Sequence, residues 1–71
     1  MAIEMKRLNG GGVLRAAGYD ERNRVLRVQL ERGTYDYANI SPELFRRLMN
    51  SSTPGTFFRD QIEEEFTGRR V

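Results

Sequence analysis

The stretch GTYDYANISPELF, residues 33–45, places Tyr35 and Tyr37 on either side of Asp36. Residues two apart share one face of a strand, so the two rings lie together and Asp36 points away. Aromatic rings on a sheet beside arginine can stack unpaired bases, at roughly 1–3 kcal/mol per base, while the cations hold phosphates. The same residue types dominate the hot spots of protein interfaces. Tyr35, Tyr37, Arg15, Arg24 and Arg27 are therefore the candidate contact residues for RNA or a partner, with Tyr37 the preferred contact of the two rings.

Bond-making chemistry finds fewer candidates. The chain has no histidine and no cysteine. The usual nucleophilic triads lack their base, and a zinc site would need carboxylates alone. Glu63-Glu64-Glu65 reads as a solvated helix end. Gly10-Gly11-Gly12 has no Gly-Lys-Ser/Thr after it and no strand before it, so it reads as a linker and not a phosphate loop. The expectation is a chain with no catalytic residue, no metal, no cofactor and no evident small-molecule substrate.

Seventy-one residues make one domain, too short to bury a large fraction of its surface. No apolar run approaches the roughly 18 residues of a membrane span. MAIEMKRLNGGG contains no signal-peptide core, and the absence of cysteine fits a cytoplasmic chain. The net charge is +2, and eleven of the twelve cations are arginine. Residues 1–59 carry +4 and residues 60–71 carry −2. Such a body is either an ordinary solvated surface or one that meets phosphates or an acidic protein, which arginine's planar fork grips in bidentate fashion.

The elements that position these residues are set by periodicity. Residues 1–12 lack a convincing period and end in three glycines, which predicts a flexible N-terminal arm, with room for a short extended piece from Ile3 to Leu8. Val13 to Tyr19 reads as a strand, then DERN as a polar turn. In RVLRVQL, residues 24–30, Leu26, Val28 and Leu30 alternate with Val25, Arg27 and Gln29, as in a half-buried antiparallel strand. Gly33 serves the next turn, and Thr34 to Ile40 forms a third strand. Whether Ala38 and Ile40 or the two tyrosines face the core is open at this level.

The period then changes. Ser41 is an N-cap, Pro42 suits the first helical position, and Leu44, Phe45, Leu48 and Met49 line one side. Thr53-Pro54 starts a second helix running to about Phe66, with Phe58, Ile62 and Phe66 as its buried stripe. The acidic run opposes the helix dipole, which predicts fraying there, and residues 67–71 read as a basic tail. The expected fold is α+β: a three-stranded antiparallel meander followed by two C-terminal helices packed on one face.

GYD at 18–20, VLRVQL at 25–30, GTYDY at 33–37, ISPELFRRLMNS at 40–51 and PGTFFRDQI at 54–62 resemble the KTSC family. The likeness covers residues 13–66, including Tyr35 and Tyr37 and the aromatic pair in Gly55-Thr56-Phe57-Phe58. The family comprises small bacterial and phage domains, also found at the C-terminus of some lysyl-tRNA synthetases. The sequence departs from it in having GGGVL in place of a serine-rich opening, and in an acidic insertion before the basic end. The resemblance implies no catalytic role. It implies RNA, or RNA-handling machinery, as the target; the alternative is a protein-binding regulator docking on a large machine such as RNA polymerase.

Overall fold

The alternation in VLRVQL becomes strand geometry in the computed structural model, which describes residues 3–8 and 12–71. The predicted linker glycines Gly10 and Gly11 lie outside the described residues, as do Met1, Ala2 and Asn9. Among the described residues, five strands form one antiparallel sheet in chain order: β1 (Lys6–Arg7), β2 (Leu14–Asp20), β3 (Val25–Leu30), β4 (Gly33–Tyr37) and β5 (Gly68–Arg70). The three central strands are the expected meander. The outer two correct the three-strand expectation: β1 comes from the segment read as an arm and β5 from the segment read as a tail. Both are short and charged, so neither carries the apolar alternation that reveals a half-buried strand.

Local chemistry sets the turns. The Asp20 carboxylate accepts hydrogen bonds from the side chain of Asn23 at 2.8 Å and from the backbone N–H groups of Asn23 and Arg22. These bonds hold its carboxyl below the ordinary carboxylate value, the Asn23 side chain contributing most. Gly33 opens β4 at φ 138°, a backbone region that side chains disfavour. The third strand is shorter than expected, ending at Tyr37. Asn39 turns the chain at φ 64°, and Ile40 enters the core from a loop, its N–H donating to the Arg24 carbonyl at 3.0 Å.

Helix α1 (Pro42–Asn50) begins as the sequence predicts: Ser41 Oγ accepts from the Leu44 N–H at 3.1 Å. The second helix differs. Helix α2 (Pro54–Phe58) gives way at Arg59–Glu63 to a π-type turn. Such a turn holds one more residue per hydrogen-bonded ring, so the residues beyond it are rotated off the regular face. Phe58 and Ile62 are buried, whereas Phe66 is half-buried beyond the helix end. The chain then leaves toward β5, with the Val71 N–H donating to the Thr34 carbonyl at 2.9 Å.

The core lies between the helices and one face of the sheet. Leu14, Ala17, Leu26, Val28, Leu30, Tyr37, Ile40, Leu48, Phe58 and Ile62 form one buried cluster. Each large apolar side chain contributes about 1.5–3 kcal/mol on burial. Tyr19 links the sheet to α1: its ring stacks on Phe45 at 5.0 Å, and its hydroxyl donates to the Ile40 carbonyl. Among the described residues, no helix is long and apolar enough to cross a membrane.

Candidate functional site

Register decides where the tyrosines go. Leu26 pairs with Tyr37 and Val28 with Tyr35, so both rings share the helix-covered face with the aliphatic side chains of β3. Tyr37 is 3% exposed and sits edge-on to Phe58. Burial pushes its phenol above the ordinary tyrosine value. Its place in the core corrects the preference for Tyr37 as the contact ring. Leu26 and Phe58 need a large partner there, and a ring enclosed on that side presents no stacking face.

Tyr35 is half-buried, nearer the rim of the same face. The Arg32 guanidinium lies over its ring, 5.3 Å from the centroid, within cation–π range. Arg32 also donates through Nη2 to Glu63 Oε2 at 2.6 Å, which ties the β3–β4 turn to the π-type turn. Arg70 of β5 is the cross-strand partner of Tyr35. Its guanidinium lies over the turn, so a Cβ at Gly33 would stand 3.3 Å from Nε. Tyr35, Arg32 and Arg70 thus form one half-exposed aromatic and cationic patch.

The remaining candidates lie elsewhere. Arg27 is on the opposite, open face, where Nε and Nη2 donate to the two Asp36 oxygens at 2.8 and 3.0 Å. That pairing holds the guanidinium more firmly protonated than usual. Register continues the row from Asp36 to Arg69, so an aspartate lies between two arginines across β3, β4 and β5. Arg15 occupies an irregular point of β2 and reaches Glu31 at 3.5 Å, while Arg24 is exposed in the β2–β3 turn at φ 55°. The five predicted residues do not converge on one surface.

The open face is polar but partly covered. Gly18 lies opposite Arg27, and a Cβ there would collide with the Glu4 carbonyl and the side chains of Ile3 and Met5. Residues 3–5 therefore cross that face over Gly18. Arg32 and Arg70 were missed by sequence reasoning because one falls in a turn and the other in a presumed tail. A strand assignment for residues 68–70 would have placed Arg70 beside Tyr35.

The KTSC domain family model matches residues 12–66, most of the chain. The crystal structure of a KTSC domain protein from Yersinia pestis is similar over its whole length: TM-score 0.92 and 28% identity, covering 99% of this chain and 99% of that one. The structural likeness thus extends over the segments that hold β1 and β5, which lie outside the family model's match. No curated protein matches the sequence.

Proposed function

We propose that this chain, which belongs to the KTSC domain family, is a small non-enzymatic module that binds single-stranded RNA through Tyr35, Arg32 and Arg70. The observation that carries the reading is the half-buried Tyr35 ring flanked by two guanidinium groups, one over the ring and one on the neighbouring strand. A base would stack at the exposed part of the Tyr35 ring, while the cations meet the adjoining phosphates. Arginine is suited to both roles, being planar, permanently charged and weakly hydrated.

The test is a fluorescence-anisotropy titration with mixed-sequence single-stranded RNA at low and raised salt. Salt-sensitive association that weakens in Tyr35→Ala, with the far-UV spectrum unchanged, supports the reading. No association at low salt ends it. A stoichiometric protein captured from bacterial lysate after nuclease treatment would instead favour a regulator of a protein machine, RNA polymerase being the candidate.

A further inference from the structure

A cleft of about 600 Å³ lies between the start of β2, the β3–β4 turn and the first turns of the second helical segment. The volume is within the range of small-ligand sites. Val13, 56% exposed, is the accessible apolar side chain of the cleft, and the buried Leu30 and Phe58 back it from the core. Val13 is one of two large hydrophobic side chains left open to water among the described residues.

The opposite features are polar. Thr53 caps the second helix by position, yet its side chain makes no capping hydrogen bond, which leaves the hydroxyl available in the cleft. Glu31 lines the cleft, and its contact with Arg15 at 3.5 Å is at the limit of hydrogen bonding. Arg59 supplies a cation at the rim, 3.5 Å from Asp60, and Glu63, paired with Arg32, also lines the cleft. Arg32 belongs both to this lining and to the Tyr35 patch, so the two are continuous.

A flat heterocycle with polar edges and an attached anion matches that set. One face would cover Val13, its edge would meet Glu31 and Thr53, and its phosphate would meet Arg59. A carboxylate, accepting through both oxygens, asks for two adjacent N–H donors. Guanine offers N1–H beside its N2 amino group. Adenine and cytosine set a ring acceptor beside their amino group, and uracil sets its single N–H between two carbonyls.

We infer that the cleft is a single-nucleotide pocket selective for guanine, with Glu31 reading the base edge, Val13 packing against the ring, and Arg59 holding the phosphate. The inference deepens the RNA reading by naming the base its site extracts from the strand.

The experiment is a nitrogen–proton correlation titration of the full chain with GMP, AMP, CMP, UMP and inorganic phosphate. Millimolar GMP should shift the amides of Val13, Glu31, Thr53 and Arg59, with the other mononucleotides at least about fivefold weaker, the discrimination of one bidentate pair. Glu31→Gln should erase that preference while the unliganded spectrum stays native, because Glu31 is exposed. Silence with GMP, the same shifts from phosphate alone, or an unchanged preference in Glu31→Gln would each overturn the pocket. RNA binding that depends on Tyr35 while the cleft stays silent overturns the pocket and leaves the RNA reading standing. GMP binding in a chain that holds no RNA does the reverse.

Discussion

The Tyr37 ring stands edge-on to Phe58, with centroids 5.4 Å apart and planes at 85°. Aromatic pairs prefer this arrangement because the positive ring edge meets the negative face. It joins β4 to α2 and makes the expected recognition residue a structural one. Gly68 is part of the same relationship, since a Cβ there would come within 2.5 Å of the Tyr37 ring. Absence of a side chain on β5 is what lets the ring lie flat at the sheet edge.

Replacing Tyr37 with alanine should therefore remove about 3–5 kcal/mol of stability, the usual cost of deleting a buried ring. Urea denaturation of Tyr37→Ala and Tyr37→Phe separates the ring from its hydroxyl. Phenylalanine should stay within about 1.5 kcal/mol of the parent, since the shape is conserved. Equal losses in both variants would mean that the hydroxyl, and not the ring, holds this part of the core.

Gly68→Ala should detach the edge strand by steric conflict with that ring, at a cost of about 1–3 kcal/mol. Amide exchange offers the readout. The Val71 N–H, bonded to Thr34, should lose protection in the variant while the central strands keep theirs. Retained protection at Val71 would show that the ring can move aside.

At the Tyr35 patch, Tyr35→Ala should weaken RNA binding by roughly 1–3 kcal/mol. Removing Arg32 or Arg70 should each reduce the logarithmic salt slope by about 0.7, the value for one phosphate contact on a single strand. Glu63→Gln should move affinity the other way, since Glu63 holds Arg32 at 2.6 Å and competes with phosphate. Anisotropy titrations across a salt series measure all four variants. A Glu63→Gln protein that binds no better would place Arg32 outside the contact.

Alkaline pH should unfold the protein earlier than its charges alone would. The Tyr37 phenol is raised above its ordinary value of 10.0 by burial, so the unfolded chain releases this proton first as pH rises. The stability from the buried neutral phenol is complete below that ordinary value. It declines as pH climbs from there through the higher folded value. Thermal melts across this range should show a steeper decline for the parent than for Tyr37→Phe; identical slopes would assign the decline to other groups, Tyr19 among them, whose phenol burial also raises.

The open-face pair Arg27–Asp36 should matter less. Arg27 keeps about a third of its side chain exposed and Asp36 about a fifth, so solvent screens the bidentate contact. Arg27→Met should cost no more than about 1 kcal/mol in urea denaturation. A much larger loss would mean that the row Arg27–Asp36–Arg69 acts as a cooperative network.

The amino-acid sequence by itself determined the alternation of β3, the Ser41 cap and Pro42 start of α1, the apolar stripe through Phe58 and Ile62, and the likeness to the KTSC family. These are local signals: a period of two, a hydroxyl three residues from an unpaired N–H, and matched short motifs. Tertiary structure alone decided that Lys6–Arg7 and Gly68–Arg70 are strands, because short charged edges owe their pairing to a neighbour's free backbone groups and not to their own pattern. It also decided which tyrosine is buried. Residues 35 and 37 point the same way in any register, and only the placement of α2 over one end of β4 encloses Tyr37 and leaves Tyr35 at the rim beside Arg32 and Arg70.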